Sequence, residues 1–258
     1  MTSVPGLSVI IIARNEKRDL PGCLASVRAL ASEIVVADSG STDGTPDIAR
    51  AAGAKVIFKE WEGYGRQKQA ALDAAAGPWV LNIDADERVT PGLADEIRRR
   101  LSSAPVESGF EIPFRHFFLG RRLRFGRFST ETHLRLFKKS AARYGAQQIH
   151  EGINVEGRIG RATGVIDHLS YHDIEEYLEK CNRYTSMIAR ARYDAGQRFH
   201  FWHHARLPIE FLVRYVFKLG FLDGGPGLTY ALLSSYYVWL KFLKLRDCEA
   251  AEREGKPQ

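Results

Sequence analysis

Apolar runs alternate with amphipathic segments up to about residue 85. Leu7 to Ala13 is a β-branched run without polar alternation, a pattern typical of a strand buried on both faces of a parallel sheet. Leu20, Leu24, Val27 and Leu30 then follow at helical spacing. Strands alternating with helices predict a doubly wound α/β domain with right-handed crossovers. The predicted strands are 7–13, 33–37, 55–59 and 78–83, and the predicted helices are 19–31, 45–52 and 65–76.

The pattern changes after about residue 105. Shorter apolar stretches predict strands at 109–114, 134–137 and 153–155, and helical spacing predicts helices at 174–195, 207–222 and 229–245. The glycine-rich segment 223–227 predicts a helix stop and a turn. We therefore expect a catalytic domain over residues 1–172 and a helical region over residues 173–258.

The last two predicted helices are strongly apolar but carry basic residues. Lys241 and Lys244 interrupt the second of them, which argues against a bilayer-spanning segment. An interfacial pair of helices fits better and predicts peripheral membrane contact. The alternative is two ordinary core helices that pack on the sheet. The cations expected at headgroup level are Arg214, Lys218, Lys241, Lys244 and Arg246.

The net charge of +6 is unevenly distributed. Residues 112–143 contain nine basic residues and a single acid, Glu131. Such a segment attracts anions, but no nucleic-acid-binding module accompanies it, so nucleic acid is not an expected partner. Three scattered cysteines and an N-terminus without a secretory signal pattern lead us to expect a cytoplasmic protein.

Residues 82–87 form an acidic motif that follows the apolar run of the fourth predicted strand. Asp84 and Asp86 repel each other unless a cation or a partner offsets their charge. Carboxylate oxygens suit Mg²⁺ or Mn²⁺, and such ions complete their coordination with substrate phosphates. The motif therefore suggests a metal and diphosphate site, while the alternative is a solvated acidic turn before a helix.

Three strand ends together carry a family resemblance: 13–16 (ARNE), 38–44 (DSGSTDG) and 84–87 (DADE). Their order and spacing resemble the inverting, nucleotide-sugar-dependent glycosyltransferases of family 2, which have the GT-A fold. The resemblance covers about residues 7–100 and extends more loosely to about residue 175. Segments 134–137, 149–152 and 220–224 further resemble enzymes of the lipopolysaccharide core β-1,4-glucosyltransferase type.

The resemblance implies a UDP-sugar donor, with glucose as the predicted sugar, and roles for individual residues. Asp86 would bind Mn²⁺ or Mg²⁺, with His168 preferred over His172 as a second ligand, while the alternative is a structural histidine. Glu151 would act as the base, unless it belongs to an exposed polar pair with His150. The residues expected at the nucleotide are Ala13, Asn15, Glu16, Asp38, Lys68 and Asp84. Asp38 could instead form a turn, and Lys68 could face solvent.

The basic segment lies between the acidic motif and Glu151, where acceptor-binding elements are found in this family. Arginines suit phosphate or carboxylate groups, so an anionic glycolipid or saccharide acceptor is expected at the cytoplasmic face of the inner membrane. The tentative acceptor or phosphate residues are His150, Arg115, Arg122 and Arg135. A polyprenyl-phosphate or other polysaccharide acceptor and a non-catalytic nucleotide-sugar-binding module stay open as alternatives.

Overall fold

The computed structural model describes residues 3–126, 131–145 and 152–253. The chain divides into two compact units: unit 1 comprises Met1–Arg115 and Thr130–His168, and unit 2 comprises His116–Ser129 and Leu169–Gln258. The strands are β1 Leu7–Ala13, β2 Glu33–Asp38, β3 Lys55–Phe58, β4 Trp79–Asn82, β5 Glu87–Val89, β6 Gly109–Phe118, β7 Arg121–Leu123, β8 Thr132–Lys138, β9 Ala142–Tyr144, β10 Ile153–Val155, β11 Ile159–Arg161 and β12 Ile166–Tyr171. The α-helices are α1 Leu20–Val27, α2 Thr45–Ala51, α3 Tyr64–Ala74, α4 Pro91–Ser102, α5 Ile174–Asp194, α6 Arg206–Leu212 and α7 Gly224–Arg253.

The main sheet has the order β3-β2-β1-β4-β8-β6-β12-β5. Strands β1 to β4 are parallel to one another, while β8 pairs antiparallel with both β4 and β6. The four predicted strands before residue 85 are each found to within one residue at either end. This mixed α/β sheet, followed by long C-terminal helices, confirms the predicted fold class.

The core of unit 1 lies on both faces of this sheet because successive side chains of a strand point to opposite faces. Val9 and Ile11 of β1 pack in a cluster with residues of α1 and α4, whereas Ile10 packs in a second cluster with Ala71 and Leu72 of α3. This two-sided burial explains why β1 lacks polar alternation.

The strand order places a switch point between β1 and β4. The chain runs outward from β1 through β2 to β3 and then returns to β4 on the other side of β1. Open α/β sheets bind ligands beyond the carboxyl ends of strands at such a point. The segments that follow β1, β2 and β4 therefore form the wall of the expected site.

Unit 2 consists mainly of helices. Helix α5 begins after Asp173, whose carboxylate accepts a hydrogen bond from Glu176 N at 2.8 Å. Tyr177 and Cys181 of α5 are buried in a cluster with residues of α7, and Ala189 is buried with Phe242. Among the described residues, no helix combines the length and the apolar character that crossing a bilayer requires.

Two predicted helices have different boundaries in the structure. The helix expected at 207–222 ends as an α-helix at Leu212 and continues into a π-helical turn at Val213–Phe217. The stop expected at 223–227 is wrong, because α7 begins at Gly224. Pro226 lies in the first turn of α7, where proline is tolerated. A Cβ at Gly227 would lie only 2.0 Å from Gly220 O. Close packing of the preceding turn therefore explains this glycine.

Glu96 of α4 is buried and supports the segment before β12. Its carboxylate accepts hydrogen bonds from Thr163 N at 3.0 Å and Gly164 N at 2.7 Å, and it forms an ion pair with Arg100 at 2.7 Å. Although burial alone raises the pKa of Glu96, these donors outweigh burial and lower it to about 2.

We expect Glu96→Gln to lower the free energy of unfolding at pH 7 by about 2 kcal/mol. The lowered pKa stabilises the fold at pH values above the unfolded-state pKa, and this stabilisation is lost as the pH falls toward 2. Urea unfolding at pH 7 and pH 3 should therefore show a smaller difference from wild type at the lower pH. Exposed Glu156→Gln is the control, and a difference that does not change with pH would contradict this account.

Candidate active site

The loops that follow β1 and β2 are joined by hydrogen bonds. Ser39 N donates to Ala13 O at 3.0 Å, Asn15 N donates to Ser41 Oγ at 2.8 Å, and Thr42 N donates to Asn15 Oδ1 at 2.9 Å. Asn15 has a φ of 58°, a left-handed conformation that asparagine tolerates better than most residues. These contacts bring predicted nucleotide residues from both loops together.

Asp38 ends β2 and is buried. Its Oδ1 accepts hydrogen bonds from Gly40 N at 2.9 Å and Ser41 N at 3.0 Å, and its Oδ2 accepts one from Ser41 Oγ. This is the turn-forming arrangement that the sequence offered as the alternative role. Glu16 lies at the same end of the sheet, where its backbone N–H donates to Thr45 Oγ1 at 2.8 Å. The contacts of Asp38 and Glu16 with nucleotide stay predictions.

The end of β4 holds a network of charged side chains in which Lys68, Arg135 and Glu87 are buried and Asp84 is partly exposed. Lys68 Nζ of α3 lies 3.1 Å from Asp84 Oδ1, and Arg135 of β8 donates to Asp84 Oδ2 at 2.8 Å. Arg135 also donates to Glu87 Oε1, and Glu87 Oε2 accepts a hydrogen bond from Asp84 N at 2.9 Å. Lys68 and Glu87 are each only 1% exposed, so Lys68 does not face solvent. Two cations thus offset two carboxylates at the strand end.

The network shifts the pKa values of its two acids in opposite directions. Burial by itself raises the pKa of Asp84, but the charges of Arg135 and Lys68 outweigh burial and hold this pKa well below its usual range. Burial raises the pKa of Glu87 to about 7, although the Arg135 charge acts in the opposite direction. Asp84 therefore stays ionised, whereas the adjacent Glu87 is harder to ionise.

Asp86, Glu87 and His168 form a group that can hold a metal ion, with one ligand atom of each within 4.8 Å of the others. His168 Nε2 lies 3.3 Å from Asp86 Oδ2. Burial lowers the pKa of His168, but the hydrogen bond and charge of Asp86 outweigh it and raise this pKa to about 9. Two carboxylates with an imidazole fit Mn²⁺ by ligand type. The structure brings the two predicted ligands, Asp86 and His168, together.

Arg88 fixes the backbone around this group, although the sequence had not indicated it. Its guanidinium donates to Ala85 O and Glu87 O, each at 2.8 Å, and to Asp19 O at 2.8 Å. A Cβ at Gly22 would lie 2.5 Å from Arg88 Nε, so the glycine makes room for this side chain. Arg88 therefore links the acidic motif to the start of α1 by hydrogen bonds.

The remaining predicted residues lie in several places. Arg115 pairs with Asp167 in a bidentate manner: Nε and Nη2 each donate to one carboxylate oxygen, with 2.6 Å between Nη2 and Oδ2. Arg122 is exposed on β7 of unit 2. His172 also belongs to unit 2, where its backbone N–H donates to Glu176 Oε2 at 3.0 Å. Glu151 and His150 lie outside the described residues, and their roles stay predictions.

Comparison with known proteins assigns the family. The family model described as Glycosyl transferase family 2 matches residues 8–152. The lipopolysaccharide core biosynthesis glycosyltransferase LpsC of Rhizobium meliloti is 32% identical over 90% of this chain and 92% of its own length. The chain belongs to glycosyl transferase family 2. A glycosyltransferase of Rickettsia typhi is 29% identical over 96% of this chain and 89% of its own length.

Solved structures show more distant similarity to this family 2 chain. Glucosyl-3-phosphoglycerate synthase of Mycobacterium tuberculosis, in a complex with Mn²⁺, UDP and glucosyl-3-phosphoglycerate, is 27% identical with a TM-score of 0.36. That match covers 43% of this chain and less than half, 44%, of the synthase chain. S. aureus TarS 1–349 is 14% identical with a TM-score of 0.48, over 97% of this chain and 92% of its own.

In this family 2 glycosyltransferase, Glu87 and Arg135 form an ion pair that the sequence did not indicate. Glu87 belongs to the quoted acidic motif but had no separate role, and Arg135 was expected at the acceptor. The only sequence feature that could have indicated a role for Glu87 is its position three residues after Asp84. The sequence contained no signal that Arg135, far along the chain, would contact both acids.

Proposed function

We propose that this family 2 glycosyltransferase transfers a hexose, with glucose as the predicted sugar, from a UDP-sugar to an anionic glycolipid acceptor of the lipopolysaccharide core type. The observation that carries the proposal is that Asp84 and Asp86 follow the end of β4 beside the β1/β4 switch point, with His168 of β12 3.3 Å from Asp86. The name of the R. meliloti relative, which is similar over nearly its whole length, supports the acceptor class.

The donor would bind between the segments after β1, β2 and β4. Ala13, Asn15, Glu16 and Asp38 would face the base and ribose, since backbone groups and carboxylates accept hydrogen bonds from N–H and hydroxyl donors. Asp84 would contact the ribose or a water at the metal. Lys68 is expected to act on the nucleotide indirectly, because its ammonium group pairs with Asp84 at 3.1 Å.

Asp86 and His168 would hold Mn²⁺ or Mg²⁺. Both oxygens of Glu87 already accept hydrogen bonds, from Asp84 N and from Arg135, so Glu87 is proposed as a supporting residue. A divalent ion held there would supply Lewis-acid stabilisation of the diphosphate leaving group. Arg135 and Lys68 hold Asp84 in its ionised form.

Glu151 is the proposed base. The acceptor hydroxyl oxygen attacks the anomeric carbon, the bond from that carbon to the UDP oxygen breaks, and UDP leaves with the electron pair. The hydroxyl proton passes to the Glu151 carboxylate. A single displacement of this kind inverts the anomeric centre, so an α-linked donor gives a β-linked product. His150 would orient Glu151 or contact phosphate, and Arg115 and Arg122 would bind acceptor anions.

The decisive experiment measures UDP release from a panel of UDP-sugars with Mn²⁺, with Mg²⁺ and with EDTA. We expect slow transfer to water from one sugar donor, stimulated by the metal and abolished by EDTA. NMR of the released sugar should show inverted anomeric configuration. UDP binding without release in any condition, including with a lipopolysaccharide core acceptor, would favour a binding module. The absence of UDP binding would overturn the donor.

Glu151→Gln is expected to lower UDP-sugar turnover about 10³-fold, because the amide cannot accept the acceptor proton. UDP binding, measured by calorimetry, should stay within about twofold, since the base does not bind the nucleotide. Glu156→Gln, an exposed acid nearby in the sequence, is the matched control. Unchanged turnover in Glu151→Gln would require another base.

A further inference from the structure

Unit 2 carries most of the exposed apolar surface in the part of the chain that is described. Thirteen of the twenty large hydrophobic side chains that are exposed there lie between residues 201 and 236. The most exposed are Phe201 at 83%, Phe217 at 76% and Trp202 at 66%. Scattered exposed hydrophobic residues are normal, but a concentration of this kind marks an interaction surface.

These side chains lie on elements that contact one another. The short helix at Phe201–Ala205 contacts α6, and α6 and the turn at Gly220–Asp223 both contact α7. On α7 the exposed residues Leu228, Leu232 and Tyr236 recur every four positions, so they form one stripe of the helix. We call the exposed apolar side chains of residues 201–236 the apolar face.

Exposed arginines lie beside the apolar face. Arg121 and Arg122 of β7 and the following Arg124 are all exposed. The backbone N–H groups of Arg124 and Phe125 donate to Asp223 Oδ2 at 3.0 and 2.9 Å. Farther along this segment, Gly126 N donates to Lys218 O at 2.8 Å. The arginines of β7 are therefore held next to the turn that carries part of the apolar face.

The acidic residues between 201 and 236 are already engaged within unit 2. Glu210 pairs with Arg214 at 3.3 Å, and the Asp223 carboxylate accepts the backbone hydrogen bonds just described. Exposed Arg206 directly follows the short helix that begins at Phe201, and exposed Lys218 directly follows Phe217. Together with the three exposed arginines at 121–124, the cations at the apolar face outnumber these two acids.

We propose that the apolar face docks on an anionic phospholipid bilayer, with the β7 arginines at the phosphate groups. Exposed aromatic and aliphatic side chains enter the boundary between headgroups and acyl chains, while arginines bind anionic headgroups. This placement differs from the one expected from sequence. Lys244 donates to Asn182 Oδ1 at 2.6 Å, and Arg214 is 12% exposed, so neither has the exposed position of the β7 arginines.

The test is co-sedimentation of the full chain with vesicles, which does not depend on the proposed transferase activity. We expect binding to vesicles of equimolar phosphatidylcholine and phosphatidylglycerol, and much weaker binding to phosphatidylcholine alone. Changing Arg121, Arg122 and Arg124 together to Gln should lower partitioning on the order of 100-fold. Exposed Arg28, Arg99 and Arg158 of unit 1, changed together to Gln, form the matched control and should have a smaller effect.

The apolar contribution is tested separately. Phe201→Ser with Phe217→Ser should lower partitioning on the order of 100-fold, because each ring loses its apolar burial. Phe58→Ser with Val106→Ser is the matched control, since these residues of unit 1 are 74% and 75% exposed. Equal thermal midpoints would show that all variants fold.

Two results would overturn the proposal. One is wild-type protein that stays in the supernatant with anionic vesicles, or binding that neither set of unit 2 variants weakens more than its control does. The other is concentration-dependent self-association in sedimentation velocity that Phe201→Ser with Phe217→Ser abolishes, without any vesicle binding. That second result would assign the apolar face to a second copy of the chain.

Discussion

Replacing Arg135 by methionine is expected to lower the free energy of unfolding by about 3–5 kcal/mol, because the change leaves a buried acid without its partner. Glu87 is 1% exposed, and Arg135 forms an ion pair with it at the end of β4. Asp84 keeps Lys68 at 3.1 Å but loses the 2.8 Å contact with Arg135. Urea unfolding followed by circular dichroism measures the loss.

Arg115→Met is the matched control for this prediction. Arg115 also pairs with a carboxylate, Asp167, but the two side chains are 32% and 20% exposed, so solvent screens the pair. We expect this variant to lose about 1 kcal/mol or less. A similar loss in Arg115→Met and Arg135→Met would contradict the assignment of a buried network.

A second variant separates burial of charge from loss of packing. Adding Glu87→Gln to Arg135→Met removes the buried acid that the first substitution leaves unpaired. We expect the double variant to be more stable than Arg135→Met, since replacing both partners of a buried pair costs less than removing one. Arg135 Cζ lies 5.3 Å from the ring centroid of Phe114. If the double variant is no more stable than Arg135→Met, this packing dominates the contribution of Arg135 to the free energy of unfolding.

Most of the parallel half of the sheet could be predicted from sequence because β1, β2 and β4 are buried on both faces. Leu7 to Ala13 contains no charged residue, and such a run has few alternatives to a central strand. β5 has the sequence Glu-Arg-Val, which carries no strand signal. Its two charged side chains are accommodated in the fold only by contacts with residues that are distant in sequence. Tertiary contacts, and not the local sequence pattern, therefore determine that residues 87–89 form a strand.

The same distinction applies to the site. Asp84 and Asp86 follow an apolar run, so their position at a strand end follows from the chain itself. Lys68 lies on a helix whose local spacing does not reveal that an ammonium group will be 1% exposed. Its burial depends on Asp84, and the position of Arg135 depends on the antiparallel pairing of β8 with β4. Partners that meet only through folding leave no signal in a single sequence.

Asp86→Asn is expected to lower metal-dependent UDP-sugar turnover on the order of 10⁴-fold, the factor that corresponds to several kcal/mol of lost charge stabilisation. Asparagine keeps the shape of the side chain but lacks the anionic oxygen that lies 3.3 Å from His168 Nε2. Turnover of the donor that wild type prefers, with saturating Mn²⁺, measures this effect. Asp95→Asn, which changes an exposed acid of α4, should leave turnover within about twofold.

Metal binding without substrate distinguishes a lost ligand from a general loss of activity. Calorimetric titration with Mn²⁺ should show weaker binding in Asp86→Asn and in His168→Ala, because each variant removes one proposed donor atom. Glu87→Gln should weaken Mn²⁺ binding less, about 10-fold to 100-fold, as expected for a residue that orients ligands. Equal Mn²⁺ affinity in wild type and Asp86→Asn, together with lost turnover, would show that Asp86 acts on the substrate and would move the metal away from the Asp86 and His168 pair.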